Sequence, residues 1–122
     1  MKYAVHITER AQRDINEAAD YIEFSLKNPQ ASEALLDAAE KEISSLSNMP
    51  ERYPVVADDF LASLGIRLVR IKNYLAFYRI DESQAKVYVV RFLYGRRDWV
   101  SLLHYNTSDI RADEKQNRQE RC

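Results

Sequence analysis

The side chains with most chemical potential in this sequence are cations. Arg67, Arg70, Lys72, Arg79, Lys86, Arg91, Arg96 and Arg97 all fall between residues 66 and 99, against only Asp81, Glu82 and Asp98, a net of +5. Residues 1–65 carry 6 basic and 12 acidic side chains, a net of −6, and residues 100–122 balance at 4 and 4. The overall formal charge of −1 therefore hides a polarised molecule. An arginine fork is permanently charged and matches phosphate or carboxylate oxygens, so this concentration predicts a surface for a polyanion or an acidic partner. Arg70 and Lys72 lie two apart, which on one strand would place both on one face, with Arg67 on the other.

Other chemistries lack their parts. Cys122 is the single cysteine and the two histidines, His6 and His104, are far apart, so neither an internal disulfide nor a Cys/His metal site is expected. Gly65 and Gly95 are the only glycines, which excludes a glycine-rich phosphate loop. No cofactor is expected. No apolar run approaches the roughly 20 residues that span a bilayer, and the opening MKYAVHITERAQRD lacks the apolar core of a secretory signal. A reducing, cytoplasmic setting without membrane contact fits.

The elements that must position the cations follow from periodicity. Tyr3, Val5 and Ile7 alternate with polar residues as a short strand. Thr8 is a suitable N-cap for an amphipathic helix over 9–27, whose apolar stripe runs Ala11, Ile15, Ala18/Ala19, Ile22 and Leu26. Asn28-Pro29 restarts the chain as a second helix, marked by Ala31, Leu35, Ala38/Ala39, Ile43 and Leu46 and stopped near Pro50. Two helices so closely joined form a hairpin. Residues 50–64 read as a loop with a short helical turn. Ile66–Ile71, Tyr74–Ile80 and Val87–Leu93 read as strands joined tightly enough for antiparallel hairpins, and Arg96–His104 as a short C-terminal helical turn. The fold class is α+β: an N-terminal strand, a helical hairpin, then a three-stranded antiparallel meander completing a sheet packed on the helices. Residues 1–105 form the domain; 106–122 read as a polar, disordered tail.

Within that order stand residues with a familial arrangement: Ile7-Thr8, Ala11 and Asp14, Tyr21-Ile22, Asn28-Pro29 and Ala31, Gly65-x-Arg67, Asn73-Tyr74-x-x-Phe77-Tyr78, Arg91, and Tyr94-Gly95-Arg96-Arg97-Asp98-Trp99. Over roughly residues 3–103 the chain resembles the RelE/ParE superfamily of bacterial type II toxin–antitoxin toxins. No single piece is specific; their order and spacing carry the likeness. The resemblance implies a toxin neutralised by a cognate antitoxin, whose acidic, partly disordered segment would fold onto the cationic sheet, with DNA met only through that antitoxin.

RelE-like members cut mRNA on the ribosome, and ParE-like members poison DNA gyrase. Metal-free RNA cleavage directs the RNA's own 2′-hydroxyl at the adjacent phosphate, and needs a base, an acid and a cation for the phosphorane. By resemblance, Arg97 matches the phosphate-stabilising arginine, Tyr94 the tyrosine ending the active-site strand, and Arg70 and Lys72 the cations of the reactive face. Arg67, Arg96, Trp99 and His104 complete a candidate RNA or partner surface. The chain departs from the RelE-like pattern at Leu75, where an arginine is usual, and at Leu103, where a catalytic tyrosine is usual. Ribosome-dependent mRNA cleavage is the leading expectation; gyrase inhibition, which needs no acid–base pair, is its alternative.

Each residue has a plainer role as well. Tyr74, Phe77, Tyr78, Tyr88 and Phe92 suit core packing, and Trp99 an anchor for the C-terminal turn. Arg67 suits a tie between sheet and loop, Arg91 a helix carboxylate, and His104 the surface. Asp14, Glu17 and Asp20 read as a solvated helix face.

Overall fold

The computed structural model describes residues 2–105; the tail reading over residues 106–122 lies outside the described residues. Strand β1 (Ala4–Ile7) leads into helix α1 (Glu9–Asp20), a π-helical turn (Tyr21–Ser25) and helix α2 (Pro29–Ser45). A 3₁₀ turn (Pro50–Arg52) and a short helix α3 (Asp59–Ser63) precede β2 (Arg67–Ile71), β3 (Tyr74–Asp81) and β4 (Lys86–Tyr94), and helix α4 (Trp99–Tyr105) follows. The sheet order is β1-β4-β3-β2, with β1 parallel to β4 and the other pairs antiparallel.

Local chemistry sets the helix starts. Thr8 Oγ1 accepts from Ala11 N at 3.1 Å, and Asn28 Oδ1 accepts from Ala31 N at 3.1 Å beside Pro29 in the first turn of α2. The hairpin closes tightly because small residues face each other, and the buried Ser32 hydroxyl donates to Ala19 O at 2.8 Å.

The hairpin does not continue as one α-helix to residue 27. Leu26 N donates to Tyr21 O at 3.1 Å, an i→i+5 bond that admits one extra residue to the turn. The apolar stripe therefore slips out of phase after Ile22, and Leu26, expected in the core, stands 56% exposed.

The core has two parts, one on each side of the sheet. Ala11, Ile15, Leu35, Ala39 and Ile43 of the hairpin pack on Val69, Ala76, Tyr78, Val87, Val89 and Phe92. Alternate strand residues, Leu75, Phe77, Tyr88, Val90 and Leu93, face the other way onto Val56, Leu61, Ile66 and Leu103. The meander thus carries a helical layer on each face: the hairpin on one, and α3 with α4 on the other. A β-bulge between Phe77 and Tyr78 shifts the register against β4.

Asp14 is the principal departure from the solvated helix face. It is buried, as is Arg91, and its carboxylate accepts from Arg91 Nε at 2.7 Å, Arg91 Nη2 at 3.3 Å and Phe92 N at 3.0 Å. Removing the carboxylate leaves a guanidinium buried without its counter-charge. Asp14→Ala is expected to cost about 3–5 kcal/mol in denaturant unfolding, while Asp14→Leu/Arg91→Met recovers most of it.

Tyr78 is buried under the 3₁₀ turn, and its hydroxyl donates to Pro50 O at 2.5 Å. Burial, opposed by the Arg67 and Arg52 cations, pushes its phenol up to about 12. A raised folded pKa contributes stability that is complete below the unfolded value of 10.0 and lost as pH rises through about 12. Equilibrium unfolding across that window should show an alkaline loss that Tyr78→Phe lacks.

Candidate functional site

The two turns at one end of the sheet meet because Gly95 permits it. Gly95 N donates to Asn73 O at 2.8 Å, and a Cβ on Gly95 would sit 3.1 Å from that oxygen. The turn after β4 closes with Arg97 N donating to Tyr94 O at 3.0 Å. Arg70 reaches the same place: its Nη1 lies 3.7 Å from where that Cβ would be. Arg70, Lys72, Arg96 and Arg97, all exposed, thereby gather around one end of the molecule.

They gather without converging. Arg70 pairs with Leu75, on the face of the second core cluster. Tyr94 pairs with Tyr74, whose ring stacks on Phe92 at 5.2 Å and meets Tyr94 edge-on at 5.5 Å, on the hairpin face. The candidate phenol and the candidate strand cation thus lie on opposite faces. Lys72 does not share a strand with Arg70, since β2 ends at Ile71 and Lys72 occupies the turn at φ 55°. The spacing argument assumed two more residues of extended chain; a two-residue hairpin turn takes the second of them.

The remaining candidates are already engaged. Arg67 Nη1 donates to Tyr53 O at 2.5 Å and Glu51 O at 3.1 Å, tying β2 to the preceding loop. Trp99 packs on Phe77 at 5.1 Å between ring centroids and anchors α4 to the second core. His104 Nε2 lies 2.7 Å from Asp58 Oδ2, and its ring meets Phe60 at 5.0 Å. Asp58 also caps α3 by accepting from Leu61 N at 3.0 Å. That backbone hydrogen bond, with the one to His104, holds the Asp58 carboxyl below its usual range against a smaller desolvation effect. Asp58 was not legible as a partner because it lies 46 residues from His104 in sequence.

A shallow groove of about 460 Å³ runs along α4, lined by Arg97, Asp98, Ser101, Leu102 and Tyr105. Asp98 is the carboxylate nearest Arg97 in sequence. Its side-chain and backbone hydrogen bonds with Ser101 lower its pKa, so it is held ionised as the cap of α4. Among the described residues no group of His, Cys, Asp and Glu could hold a metal ion, and no helix is long and apolar enough to cross a membrane. What the arrangement offers is an exposed cluster of cations edged by Tyr94 and Tyr105.

Gly95→Ala should push the two turns apart, costing about 1–3 kcal/mol by overpacking. Thermal unfolding would detect it, and proteolysis between residues 70 and 75 should become faster.

The family model for the ParE toxin of the type II toxin–antitoxin system, parDE, matches residues 5–99. No curated relative matches in sequence. Among solved structures, the chromosomal ParDE toxin–antitoxin system from P. aeruginosa is similar with a TM-score of 0.62 at 13% identity, covering 76% of this chain and 96% of that one. The RelBE2 toxin–antitoxin complex from Mycobacterium tuberculosis is similar with a TM-score of 0.54 at 25% identity, covering 77% of this chain and 99% of that one. The first likeness concerns the fold alone.

Proposed function

The chain belongs to the ParE toxin family of type II toxin–antitoxin systems, and from that premise we propose that it arrests growth by binding and inhibiting DNA gyrase. The supporting observation is that the candidate phenol and the candidate strand cation are not brought onto one face of the sheet. RNA cleavage needs a base, an acid and a cation within hydrogen-bond reach of one phosphate. Here Arg70 and Tyr94 lie on opposite faces, Lys72 sits in a turn, Asp98 caps α4 and His104 lies against Asp58. A protein-binding toxin needs none of that convergence. It needs exposed arginine and tyrosine anchors and a charge that steers encounter, which Arg96, Arg97, Tyr94 and their neighbours supply.

The solved relatives are toxin–antitoxin complexes, which supports a cognate antitoxin as the second partner. An acidic antitoxin segment fits the same cationic end and would compete with the target there, in the cytoplasm. The RNase reading retains one geometric support, the single turn that holds Tyr94 and Arg97 together. In it Arg97 would stabilise the phosphorane, with Tyr94, Arg70 and Lys72 as the other catalytic groups.

Purified toxin should abolish gyrase supercoiling while leaving mRNA 5′-ends unchanged by primer extension in cell-free translation. New cuts inside translated codons, with supercoiling intact, would overturn this reading. Arg96→Ala/Arg97→Ala should raise the inhibiting toxin concentration about tenfold or more, since truncated arginine anchors typically cost over about 1 kcal/mol each. Its circular dichroism should match that of the unsubstituted chain, because both side chains are exposed.

A further inference from the structure

The π-helical turn exposes Leu26, which the helix pattern would bury, beside Tyr21 and Phe24. Tyr21 is 55%, Phe24 67% and Leu26 56% exposed, all within one turn at the hairpin tip. A regular α-helix would have kept Leu26 in phase with Ile22 on the core stripe. π-turns occur frequently at functional sites, and clustered exposed apolar side chains mark interaction surfaces. We propose that Tyr21, Phe24 and Leu26 form a second docking surface, used by the toxin's target, for an apolar protein segment flanked by basic side chains.

Charge selects the occupant. Glu17, Asp20 and Glu23 flank the patch, all exposed, with Lys27 as the cation of the same stretch. An acidic antitoxin segment, suited to the cationic turns, would meet its own sign here. A second copy packing symmetrically would set these carboxylates against each other, and such like-charge juxtaposition is costly. A basic-flanked apolar segment meets neither obstacle. On the same side, Tyr74 meets Tyr94 at 5.5 Å between ring centroids, and its phenol, pushed up chiefly by burial, senses Tyr94 and Tyr21.

The inference rests on the toxin reading but not on gyrase being the target, so its test reads growth arrest. Phe24→Ser/Leu26→Ser and, separately, Asp20→Lys/Glu23→Lys would be expressed as full chains without antitoxin. Purified proteins would be compared for antitoxin affinity by calorimetry, for mass by light scattering and for thermal unfolding. Both variants should stay folded, because every substituted side chain is exposed. Viable counts after induction should rise about tenfold or more over the unsubstituted toxin, as expected from losing anchor contacts. Antitoxin affinity and mass should not change.

Unchanged growth arrest in both variants would overturn the proposal. Lost antitoxin affinity would assign the patch to the antitoxin, and a dimer dissociated by the substitutions would assign it to a second copy; either result overturns it. Failure of the unsubstituted toxin to inhibit supercoiling would remove gyrase and leave this comparison standing.

Discussion

The buried pair between Asp14 and Arg91 governs how the rest of the molecule can be built. Parallel pairing of β1 with β4 stops at Ile7 and Val89, so β4 runs on for five residues with one edge unpaired by a strand. Unpaired backbone there would be costly to bury. The start of α1 takes over the missing neighbour's role: Thr8 N donates to Val89 O at 3.1 Å, and Asp14 accepts from Phe92 N at 3.0 Å. Arg91 neutralises the carboxylate that this requires. Such a pair is weak evidence of net stability, and Arg91 Nη1 is left buried without a hydrogen-bond partner. Its effect is positional. It fixes the last residues of β4 against the hairpin, and those residues lead directly into Tyr94, Arg96 and Arg97.

With β4 fixed, the two halves of the chain take opposite roles. The acidic N-terminal half supplies the hairpin and its exposed tip, while the meander supplies the cations. Several of those cations are absorbed by the fold itself. Arg91 pairs with Asp14, Arg67 holds the loop carbonyls, and Arg79 lies over the Tyr88 ring at 4.5 Å. The net charge of the meander therefore overstates what a partner meets, which is Arg70, Lys72, Arg96 and Arg97 at one end.

Much of this was legible in the sequence. Periodicity and turn chemistry gave the element order, both N-caps, the meander and the C-terminal turn, because each is decided within a few residues. The cationic cluster was legible as charge density. Contacts between distant residues were not. Asp14 looked like one more helix carboxylate because nothing local shows that β4 ends beside it unpaired. Lys72 was misplaced because the two-residue spacing rule holds only within a strand, and the strand ends at Ile71. The π-turn was missed because Ile22 and Leu26 are four apart, which fits an unbroken helix as well as an interrupted one.

The central claim is that the cationic end works by protein contact. Hydrogen exchange on the toxin, alone and with excess gyrase or translating ribosomes, tests it most directly. The account predicts slowed exchange over residues 70–75 and 94–105 with gyrase and no change with ribosomes. Protection of those segments by ribosomes but not by gyrase would contradict it.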